Sequence, residues 1–265
     1  MSSHLGSIGN SSDRVTRAIA TSARRTGMDF NYLLGQARIE SGLNPEAKAR
    51  TSSATGLFQF IDQSWLGVME KHGQKHGLSW AANAISRDGR GRFSVDDPQT
   101  RQAILGLRKN PEVAALMAGE FAADNRDYLE RGLGREAAPV DLYLAHFLGA
   151  EGARQFLSQH DRNPDAAAAP QFARAAGANR SIFYDKSGAP RSFGEIRDRF
   201  AAKLGGSAMP GGSRLPREGN DLPQVQPADY VRLASQRATR PESTVGLGGN
   251  ENARLAYMLL AAMGA

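Results

Sequence analysis

At 265 residues the chain is long enough for one substantial helical domain with an appendage, or for two small domains. Its 40% hydrophobic and 23% charged residues support a packed core and exclude wholesale disorder, and the lack of cysteine excludes disulfides, thiolate metal ligands and a cysteine nucleophile. A net charge of +6 favours anionic partners, yet the lysines and arginines are scattered and form no nucleic-acid module, so no nucleic acid is expected as a partner.

Residues 1–7 lack the basic stretch followed by an apolar one that marks a secretory signal. No apolar run approaches the roughly 20 residues of a membrane span, so no transmembrane segment is expected. Helical patterns then follow one another. Ser12-Asp13 can cap a first helix with Val15, Ala18, Ile19 and Ala23 on one stripe. A second runs from about Asn31 through Leu33, Leu34, Ala37 and Ile39 and ends near Gly42 and Asn44-Pro45. Asp62 can start a third through Trp65, Leu66 and Met69, either as its cap or as a free carboxylate.

The loop 87–92, with three arginines, reads as a solvated segment that could touch an anionic partner. Asp97-Pro98 and Asn110-Pro111 are caps followed by a first-turn proline, and Pro139 opens a segment with Leu142, Tyr143, Phe147 and Leu148. Asn163-Pro164 and Ser192 are further helix starts, and a short strand is expected around Ile182-Phe183-Tyr184. The fold class is therefore mainly α. Proline and glycine crowd the stretch after Gly205, which reads as a flexible linker, and a helical run closes the tail at residues 252–263.

The chemistry-bearing residues lie in two blocks. Glu40-Ser41 closes a helix, Asn44-Pro45 follows, and then come Ala54-Thr55-Gly56-Leu57-Phe58-Gln59-Phe60 and Ser64-Trp65. In this order and spacing they resemble the soluble lytic transglycosylase domain, related to goose-type lysozyme. The resemblance covers residues 12–204 and leaves 205–265 as a linker and short helical segment. It implies a lysozyme-like helical domain that cleaves bacterial peptidoglycan, with Glu40 as catalytic acid and then base, and a periplasmic or wall location.

A carboxylic acid in a partly apolar pocket can stay protonated near neutral pH and deliver its proton to a glycosidic oxygen. By the family's route the muramoyl 6-hydroxyl then attacks the anomeric carbon, leaving a 1,6-anhydro end, with no metal or other cofactor. Ser41 and the stretch Gly56, Leu57, Phe58, Gln59 and Phe60 are expected to bind substrate. Gln59 would offer an amide to acetamido groups, and Phe58, Phe60 and Trp65 would either face sugar rings or pack in the core. The serine that the family places before its glycine motif is Ser52 or Ser53.

The family's late Ala-Tyr-Asn-Ala-Gly block departs here to Tyr143-Leu144-Ala145-His146-Phe147-Leu148-Gly149. His146 takes the tyrosine position, and Tyr143 could supply the hydroxyl from one turn earlier, so the two are alternative orienters of Glu40. A hydrolytic muramidase with Asp62 as second carboxylate, and a wall-binding module without activity, are the competing readings. His72 and His76 stand four apart, but Gly73-Gln74-Lys75 between them lacks the glutamate of a zinc protease, so no metal is expected. The tail at 205–265 could attach to a cell-wall, secretion or phage-assembly partner.

Overall fold

The computed structural model describes residues 5–50 and 52–207, with backbone alone for 5–12 and 207. The linker and tail expectations lie outside the described residues. The fold is mainly helical, with ten α-helices and one small hairpin among the described residues. None of these helices is long and apolar enough to cross a membrane.

The first helix, α1 (Leu5–Thr26), begins earlier than the Ser12-Asp13 signal predicts. No proline precedes Ser12, and in sequence Leu5 and Ile8 keep the spacing of Val15 and Ile19, so the periodic pattern overrides the cap. Helix α2 (Phe30–Ser41) opens on Asp29, whose side chain accepts from Tyr32 N, and closes where Gly42 N–H meets the Arg38 carbonyl. Then follow α3 (Asp62–His72), a 3₁₀ turn (Gln74–His76) and α4 (Ser79–Asn83). Asp62 is the first residue of α3 and not its cap; Ser53 Oγ accepts from Asp62 N at 3.1 Å instead.

The loop with three arginines is no featureless segment. It forms an antiparallel hairpin of β1 (Ser86–Arg87) and β2 (Phe93–Ser94), with Arg87 opposite Phe93. Helices α5 (Pro98–Gly106) and α6 (Pro111–Leu133) start as read, with Asp97 accepting from Thr100 N and Asn110 from Val113 N.

Helix α7 (Pro139–Arg162) is kinked at Gly149, where φ is 74° and ψ is 160°. Asn163 ends this helix and starts none; the next, α8 (Ala173–Ala178), begins ten residues on. Backbone groups in between pair with the segment before the last helix, through Ala168 N to Arg191 O and Phe193 N to Ala166 O. The strand expected at Ile182-Phe183-Tyr184 is mostly a short helix, α9 (Arg180–Phe183), and only Tyr184 bridges to Pro190. In α10 (Phe193–Ser207), Ser192 and Glu195 cap each other reciprocally.

One apolar core runs through the whole bundle, from Val15 and Ile19 of α1 to Phe200 and Leu204 of α10. Helix α6 packs along α1 and against α3 and α7, while α10 packs on both α2 and α7. The ends of α2 and α7 are thereby fixed against each other. Phe200 meets Tyr143 edge-on, and Leu204 lies over Gly35.

Candidate active site

Glu40 occupies the last turn of α2, where the apolar stripe that buries Leu33, Ala37 and Ile39 carries it inward. It is only 2% exposed. From α7, Tyr143 donates its hydroxyl hydrogen to Glu40 Oε1 at 3.2 Å. His146 Nε2 lies 3.4 Å from the same oxygen, without the alignment of a hydrogen bond. The Tyr143 and His146 rings stack with centroids 6.0 Å apart. The alternative drawn from sequence is therefore no alternative: both side chains reach the carboxyl. Phe200 backs Tyr143 and Phe121 of α6 backs His146, so neither ring is free to swing away.

Glu40 Oε2 is buried and has no partner among the described residues. Glu40 lines a cavity of about 600 Å³ together with Ser41, Gly42, Asn44, Glu46, Ala47 and Lys48 as well as Arg38. Its wall is a miniature sheet in which Lys48 bridges Thr55 and Thr55 bridges Phe60. Ser41 Oγ donates to Leu57 O at 2.9 Å and tethers this wall to α2.

Gly56 closes the wall with φ at 83°, and its N–H donates to Ala47 O at 2.8 Å. A Cβ there would come within 2.0 Å of the Arg108 carbonyl oxygen. The Gln59 amide adds a second donor to two carbonyls of this turn, reaching Gly56 O at 2.8 Å and Ala47 O at 3.2 Å beside the backbone bonds they already accept. Gln59 thus holds the wall together and does not present its N–H groups to a ligand, which corrects the sequence expectation. Its own φ of 48° is unusual for a residue with a Cβ.

Leu57, Phe58 and Phe60 are core residues, not ring-stacking faces. Phe60 packs edge-on against Trp65 and Phe121, and Trp65 donates to Ile104 O. Ser52 Oγ accepts locally from Ala54 N, while Ser53 anchors the start of α3. Asp62 is held by Arg108 at 2.9 Å and Arg101 at 2.7 Å, away from the residues that line the cavity. The carboxylate that does share this cavity with Glu40 is Glu46, paired with Lys109 at 2.6 Å.

Three residues of the site gave little signal in the sequence. Arg108 is buried beneath the wall and donates to Ser53 O and Phe60 O; burial pushes its guanidinium down, against the pull of Asp62. Tyr32 and Gln36 precede Glu40 at helical spacing, and both are buried on α2. Gln36 Oε1, like Glu40 Oε2, lacks a partner among the described residues. Burial, reinforced by the nearby Glu40 charge, raises the ionisation of Tyr32 and Tyr143 well above the ordinary phenol range. Both phenols therefore stay neutral, and Tyr143 remains a donor to the carboxyl.

His72 and His76 are occupied by carboxylates from α6. His72 contacts Asp124 at 2.8 Å and Glu120 at 3.2 Å, and His76 Nε2 contacts Glu120 at 2.7 Å. The arrangement around Glu40 is a buried carboxyl with one oxygen held by a phenol and the other without a partner among the described residues, on a residue that lines a cleft. Such a group can exchange a proton with a molecule seated there. Compared with models of known protein families, the chain matches none.

Proposed function

We propose that the chain is a lysozyme-like enzyme of the bacterial cell wall that cuts peptidoglycan glycan strands by the lytic transglycosylase route. One observation carries this reading: Glu40 is fixed through Oε1 by Tyr143 while Oε2 has no partner among the described residues and the residue borders the cleft. Protonated Glu40 gives its hydrogen to the oxygen that links N-acetylmuramic acid to N-acetylglucosamine. The bond from the anomeric carbon to that oxygen breaks. The muramoyl 6-hydroxyl oxygen then bonds to the same carbon and returns its proton to Glu40, leaving a 1,6-anhydro end and a regenerated acid. Ser41, Gly56 and Gln59 serve this chemistry by holding the wall of the cleft at a fixed distance from α2.

Purified walls digested by the wild type are expected to release anhydro-muramic products, read by mass spectrometry. Glu40→Gln is expected to lower turnover by at least about 10²-fold, the scale of a lost general acid. Equal clearing by the two proteins would overturn the reading.

Glu46 favours a second reading, hydrolysis, because it places another carboxylate along the same cleft. That reading predicts reducing muramic ends without anhydro ends, and loss of activity in Glu46→Gln.

A further inference from the structure

The hairpin that carries Arg87, Arg90 and Arg92 is built more firmly than an idle surface loop requires. The Asp88 carboxylate accepts from Arg90 N and Arg92 N, both at 2.9 Å, and from Arg92 Nε at 3.0 Å. The hydrogen bond from the Arg92 backbone is the chief cause that holds the Asp88 carboxyl below its usual range, so it stays ionised and committed to the turn. The base of the hairpin is bolted to α3: Gln63 donates to Phe93 O at 2.8 Å and accepts from Phe93 N at 2.9 Å. Arg87 lies over the Phe93 ring at 5.5 Å.

All three arginines are exposed, and the Arg90 side chain has no partner among the described residues. With Asp88 as its one acid, the tip at 87–92 keeps two positive charges in excess. Of the acids just beyond, Asp97 is spent capping α5 and Asp96 is exposed.

The hairpin is also close to the cleft. Gln59 is bonded to Ala47 in the cleft wall, and Gln63 is bonded to the hairpin. The chain between Gln59 and Gln63 spans at most about 14 Å. The base of the hairpin is thereby joined to the cleft wall by one short stretch of chain, a separation that a polymer longer than the cleft can bridge.

We propose that this hairpin is an anion-docking element that grips the free carboxylates of the peptide stems carried by the same strand. The proposal rests on the reading of the cleft as a glycan site. A guanidinium fork matches a carboxylate with two parallel hydrogen bonds, and a pinned backbone lowers the entropy lost on binding. Joining the glycan contact to the stem contact makes the second an intramolecular event.

The test uses the full chain in the Glu40→Gln background, so that walls stay uncut, and measures co-sedimentation with insoluble peptidoglycan across a salt series. Replacing Arg87, Arg90 and Arg92 together by Gln is expected to weaken binding to stem-bearing walls roughly tenfold at low salt. Binding to walls whose stem carboxylates have been converted to neutral amides with a carbodiimide and methylamine is expected to be the same with or without the arginines. Arg90→Gln alone touches no internal contact and is expected to show a smaller loss of the same kind, whereas Asp96→Asn is expected to strengthen binding.

Equal binding of the parent and the triple variant to stem-bearing walls would overturn the proposal, as would an equal loss on the amidated walls. A loss that disappears once phosphate polymers are removed with acid would also overturn it, by making phosphate the ligand. A wild-type chain that leaves walls uncut removes the enzymatic reading alone; stem-dependent binding lost with the arginines would still support the hairpin's role.

Discussion

A carboxyl as buried as Glu40 is stable only where neighbours answer its charge or its proton. Tyr143 is the neighbour with hydrogen-bond geometry, and its burial keeps the phenol neutral and donating. Tyr143→Phe keeps the ring between His146 and Phe200 and removes only the hydroxyl. The expected result is a fall in kcat of roughly 10- to 150-fold, the equivalent of a hydrogen bond to a charged group at about 1.5–3 kcal/mol. Steady-state kinetics on soluble glycan strands check this, with KM little changed. At this scale the sequence can single out Glu40 as a candidate because its context, one helix end and the loop after it, is local in the chain. It does not separate Tyr143 from His146, since residues three apart share a helix face and only packing on Phe200 and Phe121 brings both rings to one oxygen. Nor does it reveal that the Gln59 amide turns inward, because the two carbonyls it reaches, Gly56 O and Ala47 O, are brought together only when the loop folds back on itself.

Among the elements, helix starts are legible where a capping side chain is followed by a first-turn proline and the chain has just left a turn, as at Asp97-Pro98 and Asn110-Pro111. The same signal misleads at Asn163-Pro164, where pairing with residues 191–193 satisfies the backbone and no helix is needed. The kink in α7 is the element-scale feature with the clearest consequence. Gly149 holds φ 74° and ψ 160°, a region that residues with a Cβ essentially avoid. No neighbouring atom lies within 4 Å of where a Cβ would sit, so the cost of Gly149→Ala is backbone strain alone. We expect a loss of about 1–3 kcal/mol in urea unfolding. Because the kink sets the half-helix bearing Tyr143 and His146 against the half that packs through Phe156, activity should fall further than the lost stability explains. Turnover measured well below both melting temperatures checks this. A variant as stable and active as the parent would show that the helix runs straight through this position at little cost.

At the scale of the whole molecule, α6 ties the bundle together, and its Glu120 is the charge on which the junction with α3 depends. The side chain is only 5% exposed and meets Lys75 at 2.8 Å, His76 at 2.7 Å and His72 at 3.2 Å. Burial pushes its carboxyl up, yet the hydrogen bonds from Lys75 and His76 and the charges of His72 and Lys75 outweigh this and leave it below the ordinary range. Asp124, one turn on, is lowered in the same way by Lys71 and His72 against its burial. A carboxyl depressed in the folded state binds fewer protons there than in the unfolded chain. Its contribution is therefore complete above the unfolded value, about 4.3 for Glu and 3.9 for Asp, and drains away as pH falls from there through the folded values. Glu120→Gln keeps the shape of the side chain but not its charge. It is expected to lower stability at pH 7 by about 1.5–3 kcal/mol and to flatten the decline on the acid side. The next residue, Phe121, packs on both Phe60 of the cleft wall and His146 beside Glu40. Loosening α6 at Glu120 should thus reach the site before the chain unfolds. Activity is then expected to fall at a higher pH than helical circular dichroism in the wild type. Coincident loss of the two signals would show that the bundle opens as one unit.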